Sequence, residues 1–495
     1  MDSLLAAVDL GSNSFRLSIG RVAQHDGDVQ IFQVDRLKET VRLAAGLDSN
    51  LVLSEEAIDR AVAVLERFGE RLRSFPSSRV RAVATNTFRV ARNAADFLPR
   101  AEAALGFPIE VISGQEEARL IFCGVSHSLP PLNERRLVVD IGGGSTEVII
   151  GKGNEPVRMA SLHMGCVSFS QRFFPDGKIT AERMHQADIA ARREIESITR
   201  QYRKTGWAEA YGSSGTAKAL YAILTEGGYA NAITAAGMRK LKTRLIQSGC
   251  VIPSELPGIK LERADVLPGG LAIMGAIVDE LGVENMKTGD GALRVGVLHD
   301  LLGRDDQHTD KRRETVRLFM KRYHIDGRQA ERVRTAAHAL FDKLCPRSPE
   351  SEELRLALGW AADLHEIGLS ISHDAYHRHT AYVLQHADMP GFSNAEQDLL
   401  ALLTLGHQGK LSKIQTVVRG RRQWLAILSL RLAVLLMRRR QDIADMPLSP
   451  AVDDHDITIT AKRQWLADRP LSDYSLRAEE PEWRKVGFTF NVAEI

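Results

Sequence analysis

The sequence predicts two successive α/β units, then an all-helical region, then a small unit that returns to β structure. Three observations carry this reading. A strand that delivers an acid to a glycine-bearing turn (Leu4–Asp9, then Leu10-Gly11-Ser12-Asn13-Ser14) recurs 131 positions later as Leu137-Val138-Val139-Asp140, then Ile141-Gly142-Gly143-Gly144-Ser145-Thr146-Glu147. Around both turns, short strands alternate with amphipathic helical stretches, the pattern of α/β architecture. After Arg304 the β-like runs stop, and helical periodicity continues to about Arg440. The resulting divisions are 1–124, 125–302, 303–440 and 441–495.

Taken in order, Leu4–Asp9 is an apolar run, and Phe15–Val22 and Val29–Val34 alternate around a His25-Asp26-Gly27-Asp28 turn. Ser54 then caps a helix with Glu55 and Glu56 in its first turn and Ile58, Ala61, Val62, Leu65, Phe68 and Leu72 at helical spacing. Short strands follow at Arg79–Ala84 and Ile109–Ser113. In the second unit, Glu147–Ile150 pairs with the strand at Leu137, and helices are expected at Ala181–Tyr202, Ala217–Leu224 and Met238–Gln247. The charged run Asp305 to Arg313 opens the helical region, and Gly487–Val492 alternates again near the end.

Composition narrows the function classes. The chain has 495 residues, 44% hydrophobic and 26% charged, enough for several cores. Lys and Arg total 65 against 63 acids, so no global field selects a partner. Cys123, Cys166, Cys250 and Cys345 form no CxxC pair, which argues against a disulfide framework or zinc ribbon. The amino end lacks a basic n-region, and the best apolar stretch, Leu425–Met437, is 13 residues long and contains Arg431, too short to cross a bilayer. A cytoplasmic, multidomain protein is expected.

Two turns carry the chemistry. Backbone N–H groups and hydroxyls of Gly11, Ser12, Asn13 and Ser14 suit a phosphate, and Asp9 suits a hydrated divalent cation. By itself this turn reads equally well as an Asx turn in a hairpin. Gly142, Gly143 and Gly144 cost backbone entropy that a plain hairpin has no need to incur, and Asp140 and Glu147 bracket them. Two such loops opening two similar units are much more specific than either loop alone. In Ser113-Gly114-Gln115-Glu116-Glu117, two acids open a helix, but side chains about 100° apart let only one face a site. Ser213-Ser214-Gly215-Thr216 precedes a helix whose N-terminal amides suit another phosphate. No GxxxxGK[ST] stretch occurs, and no strand–GxGxxG–helix unit, so P-loop and Rossmann readings fail.

These motifs resemble the actin–hexokinase–acetate kinase superfamily, with its duplicated ribonuclease H-like halves. More specifically, the chain is similar to the exopolyphosphatase/guanosine pentaphosphate phosphatase (Ppx/GppA) family. The matching stretches are Ala7–Phe15, Ala84–Arg89, Ile112–Arg119, Asp140–Glu147, Tyr211–Thr216, Asp290–Arg294, and, in the helical region, Leu364–Gly368 with His377–Tyr382. The resemblance implies Glu117 as the catalytic base that activates water, with Asp140 and Glu147 in catalysis and Asp140, Glu147 and Asp9 holding Mg²⁺. It adds K⁺ as an optional activating ion. Gly11, Ser12, Asn13, Ser14, Arg89, Gly142, Gly143, Gly144, Ser145, Ser214 and Gly215 would bind phosphate. Glu116 is read as structural.

The helical region resembles an HD-type phosphohydrolase with a degenerate metal site. His338 and His365-Glu366 sit near the expected spacing, but Glu366 replaces Asp, and Val434 stands where a distant Asp belongs. Valine cannot coordinate a metal. His373, His377, His379, His386 and His407 are read as anion contacts or surface residues. From Leu399 to Gln441 the chain has nine cations and no acid. Lys410, Lys413, Arg419, Arg421 and Arg422 are read as a track for a polyanion, since no aromatic interleaving favours nucleic acid.

The sequence therefore puts exopolyphosphatase activity first: hydrolysis of a terminal phosphoanhydride of inorganic polyphosphate, releasing orthophosphate processively. Hydrolysis of guanosine pentaphosphate (pppGpp) is the alternative, and a non-catalytic polyphosphate-binding protein is the reading from a different class. A homodimer is expected by resemblance, and the basic stretch leaves room for peripheral contact with the inner membrane face.

Overall fold

The computed structural model describes residues 3–25, 28–304, 309–443 and 445–495. The chain divides into two compact units, Met1–Asp310 and Lys311–Ile495. The middle of the turn read at His25–Asp28, and the charged residues Asp305–His308, lie outside the described residues.

The first unit contains two five-stranded sheets of one topology. In one, β1 (Ser3–Leu10), β2 (Ser14–His25) and β3 (Asp28–Thr40) form an antiparallel meander, while β4 (Val80–Ala84) and β5 (Ile109–Val111) add in parallel beyond β1. In the other, β6 (Arg135–Ile141), β7 (Thr146–Lys152) and β8 (Glu155–Leu162) form the meander, and β9 (Glu209–Ser213) and β10 (Met286–Thr288) add beyond β6. The strands correspond one to one, so the repeated acid-and-turn motif reflects a duplicated, actin-like architecture. Asp9 and Asp140 sit near equivalent ends of the two central strands. Leu5–Val8 are buried on both faces, which explains why β1 reads as a continuous apolar run rather than an alternation.

Helices cover the sheets. In the first lobe these are α1 (Glu55–Leu72), α2 (Asn86–Val90), α3 (Ala94–Leu105) and α4 (Gly114–His127). Ser54 caps α1 as expected, its hydroxyl accepting from Ala57 N–H, and Ile58, Ala61, Leu65, Phe68 and Leu72 are buried. The second lobe has α5 (Cys166–Phe173), α6 (Ala181–Thr205), α7 (Ser214–Glu226), α8 (Ala235–Ser248), α9 (Leu267–Leu281) and α10 (Leu293–Arg304). α4 follows β5 as α10 follows β10, so the two helices are also equivalents. They cross closely: a Cβ on Gly296 would collide with the Leu120 carbonyl, and one on Gly124 with the Ala292 carbonyl. Leu120, Phe122, Val297 and Leu298 then share a core with Leu5, Val83, Val138 and Ile149 of the two sheets.

Beneath that crossing lies a buried ion network. Arg81, 2% exposed, reaches Glu110 at 2.9 Å and Asp300 at 2.6 Å. Arg119 binds Glu116 at 2.7 Å and also Asp300, and Arg304 binds Glu110 at 3.1 Å. It ties β4 and β5 to α4 and α10.

The second unit is helical, with α11 (Lys311–Arg322), α12 (Gly327–Leu344), α13 (Pro349–Leu364), α14 (Tyr376–His386), α15 (Asn394–Gly406) and α16 (Arg421–Leu436). β11 (Leu448–Asp453), β12 (Asp456–Ala461) and β13 (Thr489–Glu494) form a terminal sheet. One hydrophobic core runs from Val316 of α11 through α16 to Phe490 of β13, so sheet and helices share an interior. α16 contains the apolar stretch noted in the sequence and is a core helix. Among the described residues no helix is long and apolar enough to cross a membrane.

Candidate active site

The two meander turns face one another over a chamber of about 100 Å³. Gly142 N–H closes its own turn on the Ser145 carbonyl at 2.9 Å. The turns touch: a Cβ on Gly143 would lie 2.9 Å from Ser12 Cβ. Glycine is needed at that point because two loops from different lobes meet there. Asp9 and Asp140 enter the chamber from opposite sheets, and both are buried.

Ser113 follows β5 and caps α4, its hydroxyl accepting from Glu116 N–H at 3.1 Å. This puts the two acids of the first turn on different faces. Glu116 turns into the ion network, and Glu117 turns into the chamber. Burial pushes the Glu117 carboxyl up to about 7; Arg89 opposes the shift, and the charges of Asp9 and Asp140 add to it. A carboxyl with that value is matched to general-base work near neutral pH. Arg89 Nη1 donates to Glu117 Oε2 and to the Ile112 carbonyl, each at 2.9 Å. Its guanidinium therefore braces the base and is not among the groups lining the chamber, where the resemblance had put it as a phosphate contact.

Cross-strand register explains the remaining polarity. Asp140 faces Glu147 across β6 and β7, and Asp9 faces Arg16 across β1 and β2. Equivalent positions thus carry an acid in one lobe and a cation in the other. The first helical turns are exchanged in the same way: α4 presents Glu117 and α10 presents Arg294. Because the lobes face each other, the exchange collects like charges. Glu147 feels Glu117 and Asp140, while Arg294 feels Arg16 and Arg36 as well as Asp9 and Asp140. The chamber has an acidic end and a cationic end.

At the acidic end, burial is the largest cause raising the carboxyls of Asp9, Asp140 and Glu147, the last of them well above its usual value. The hydroxyls of Ser213 and Ser214 pull Asp140 back, and Ser161 donates to Glu147 at 2.8 Å. Ser214 holds φ at 64°, a strained conformation for a residue with a Cβ, at the start of α7. Asp9, Glu117, Asp140 and Glu147 are thus four buried carboxyls whose charges repel one another. Among the described residues no three His, Cys, Asp or Glu side chains converge as a ligand cluster.

The cationic end opens into a second cavity of about 490 Å³. Arg16, Ser214, Gly215 and Arg263 line both spaces, and Arg36, Lys38, Lys218, Lys260 and Arg294 line the outer one. Lys38 is paired with Glu262 and Lys218 with Asp290. Arg294 Nη1 is buried and has no hydrogen-bond partner among the described residues. Burial, then Arg16, lower its pKa, and the charges of Asp9 and Asp140 oppose the shift.

The structure therefore brings Asp9, Gly11, Ser12, Asn13, Ser14, Glu117, Asp140, Gly142, Gly143, Ser145, Ser214 and Gly215 to one chamber. Glu147, Gly144 and Arg89 do not line it: Gly144 packs on Asn86, Arg89 binds Glu117 and Glu147 accepts from Ser161. Sequence reasoning missed Arg16, Arg36, Arg263 and Arg294. Arg16 had a signal: as the first cation of β2, it falls opposite Asp9 once the turn length is fixed.

In the second unit, the stretch that counted as nine cations without an acid is partly neutralised from elsewhere. Arg431 is buried and makes a bidentate pair with Glu479 at 2.6 and 2.8 Å. Arg440 binds Asp326 and Glu366, and Arg422 lies 3.5 Å from Glu350. Lys413 Nζ donates to the Gln408 carbonyl at 2.5 Å, and burial pushes its pKa down to about 7. Arg421 reaches the Val452 carbonyl; Lys410 and Arg419 are exposed. His377 and His407, expected at the surface or on anions, are instead buried with His365. His365 and His407 stack edge-on at 5.5 Å, and His407 Nε2 lies 3.1 Å from the Tyr376 hydroxyl. Shared apolar walls account for this: all three histidines lie in the interior formed by α13, α14 and α15.

Comparison with known proteins agrees with this geometry. Residues 21–305 match the Ppx/GppA phosphatase family, and residues 312–480 match Ppx/GppA phosphatase, domain III. The chain is similar along nearly its whole length to proteins named guanosine-5'-triphosphate,3'-diphosphate pyrophosphatase. One from Vibrio cholerae is 37% identical over 99% of this chain and 98% of its own. One from Vibrio atlanticus is 38% identical with the same coverage. Among solved structures, an exopolyphosphatase from Cytophaga hutchinsonii covers 61% of this chain and 98% of its own, with a TM-score of 0.53 at 23% identity, which is a likeness of fold. The chain belongs to the Ppx/GppA phosphatase family and is a phosphoanhydride hydrolase.

Proposed function

We propose that this Ppx/GppA phosphatase removes the terminal 5'-phosphate of guanosine 5'-triphosphate 3'-diphosphate. The observation that carries the reading is the polarity of the chamber. An electrophilic phosphoryl group at the acidic end would face Glu117, while the rest of the polyanion would lie toward Arg16, Arg263 and Arg294. The sequence alone put polyphosphate first; the full-length relatives, by their names, reverse that order.

In this reading Glu117, ionised, orients and deprotonates the attacking water, and Arg89 holds its carboxylate in place. Backbone amides of the two turns grip the terminal phosphoryl oxygens. Asp9 and Asp140, with Glu147 behind them, would hold Mg²⁺, which neutralises phosphate charge when bound. Arg16 and Arg294 grip the phosphates of the leaving group, and the proton taken by Glu117 passes to the departing phosphate oxygen or to solvent, which completes the products.

Polyphosphate remains the second reading, because an open cationic cavity grips any phosphate chain. Phosphate release from the guanosine substrate, long-chain polyphosphate and ATP, each with Mg²⁺, tests the order. The reading expects the highest kcat/KM for the guanosine substrate. A higher value for polyphosphate would reverse the assignment, and binding without any release would leave only a polyanion-binding protein.

A further inference from the structure

Two ion pairs join the lobes of the first unit beside the chamber, one lining the cationic cavity and the other a neighbouring cavity that Asn13 also lines. Lys38 Nζ lies 2.7 Å from Glu262 Oε1, and Arg42 Nη2 lies 3.5 Å from Asp265 Oδ2. Both cations belong to elements that build the site. Lys38 on β3 is in register with Arg16 on β2, which is in register with Asp9 on β1, so one row of the sheet runs from the acidic chamber out to the cationic cavity. Arg42 follows β3, and its N–H donates to the Asn13 carbonyl at 2.8 Å; Val41 and Ala44 brace Asn13 and Ser12 in the same way at 3.1 and 2.9 Å.

Both acids belong to one short turn of the other lobe, Leu261–Val266. Between them stands Arg263, which points inward, lines the chamber and covers Gly215 so closely that a Cβ there would collide with its guanidinium. Glu262 is surrounded by Lys38, Arg263 and Lys260, and the hydrogen bond from Lys38 is the main cause holding its carboxyl below the usual value.

We propose that Lys38–Glu262 and Arg42–Asp265 form a latch that closes the Leu261–Val266 turn over the chamber and sets Arg263 against the bound phosphates. Glu262 and Asp265 are positioning residues that act through Arg263. The inference rests on the reading that the chamber holds a phosphoanhydride substrate. Side-chain exposures of 39% and 43% in one pair, and 56% and 73% in the other, make each pair weak and salt-sensitive. A latch that must admit substrate and release product on every turnover needs that weakness. The same ions tie the Leu261–Val266 turn to the Ser12–Asn13 turn, so closure is transmitted to the loop that grips the terminal phosphate.

The test uses the full-length protein with Lys38→Glu, Glu262→Lys, the milder Glu262→Gln, and the double charge swap. Hydrogen exchange of the backbone amides of residues 260–266, measured without substrate, reads the latch independently of any activity. Steady-state hydrolysis of the guanosine substrate, at low salt and at roughly 0.3 M salt, reads its consequence. Each single variant is expected to speed exchange in the turn and to lower kcat by about three- to tenfold, the scale of an exposed pair and its coupled neighbour. The double swap is expected to recover most of both, and Glu262→Gln to show the exchange effect with less loss. High salt should slow the wild type and leave the single variants almost unchanged. Unchanged exchange in the single variants, or a double swap as impaired as the two singles combined, would overturn the latch. Altered exchange with unaltered kcat would equally overturn the positioning role. If the wild type hydrolyses none of the phosphoanhydrides, the functional reading fails, and the exchange data alone decide whether the latch exists.

Discussion

The two lobes share a topology, yet they furnish equivalent positions with opposite charges. In the first, the strand partner of the central acid is Arg16 and the helix that follows β5 presents Glu117. In the second, the strand partner is Glu147 and the helix that follows β10 presents Arg294. Identical lobes would have given a chamber of mixed charge on both sides. Exchanging the charges gathers Glu117 with Glu147 and Arg16 with Arg294, and in the proposed function this sets the direction of a bound polyanion. Duplication supplies the cradle, and divergence at four side chains supplies its polarity.

The largest expected break in this arrangement is Glu117→Gln, which keeps shape and loses the base. Turnover should fall by roughly 10²–10⁴-fold with the fold intact, as seen by an unchanged Tm. Glu116→Gln one residue away should do the reverse: it leaves buried Arg81 and Arg119 short of a partner, so stability should drop by about 3–5 kcal/mol before chemistry is affected. If Glu116→Gln abolished turnover in a fully stable protein, the wrong carboxylate would have been placed in the chamber.

At the cationic end, Arg294→Ala should act on binding more than on chemistry. One charge-assisted contact is worth about 1.5–3 kcal/mol, so KM should rise by roughly ten- to a hundredfold with a smaller change in kcat. A loss confined to kcat would move Arg294 from gripping the substrate to stabilising the reacting group. Asp140→Asn should weaken Mg²⁺ activation, raising its midpoint more than it raises KM for the polyanion, because the turns and arginines still hold the chain. An unchanged Mg²⁺ midpoint would remove Asp140 from the ion site.

The smallest effect concerns stability. Glu147 has its folded-state pKa raised, so between its unfolded and folded values the native state binds more protons than the unfolded state, and stability falls as pH rises through that window. Glu147→Gln removes this penalty. The Tm difference between pH 5 and pH 8 should therefore narrow in the variant, and Mg²⁺ should narrow it in the wild type.

How much of this was legible in the sequence depended on distance along the chain. The turns at Gly11–Ser14 and Gly142–Ser145 were readable because one short segment supplies both the acid and the amides. Glu117 was readable as one of two acids, and helical geometry then separates it from Glu116. Arg263 and Arg294 were not readable as site residues, since only the facing of two lobes brings them beside Arg16. The helical unit failed in the opposite direction: nine cations counted over a local window looked uncompensated, because Glu479, Glu366 and Asp326, which pair with Arg431 and Arg440, lie outside it. Likewise His377 and His407 looked peripheral, although helix packing buries them.

The central claim is that Glu117, raised by burial at an acidic end of the chamber, is the base. The most direct measurement is the pH dependence of kcat/KM for phosphate release in the wild type and in Arg89→Ala. Because the active form is ionised, the rate should rise with pH along an acid limb near pH 7. Arg89 lowers the Glu117 pKa, so its removal should move that limb to higher pH while leaving the plateau within reach. A wild-type profile flat from pH 5 to pH 9, or a limb unmoved in Arg89→Ala, would contradict the assignment.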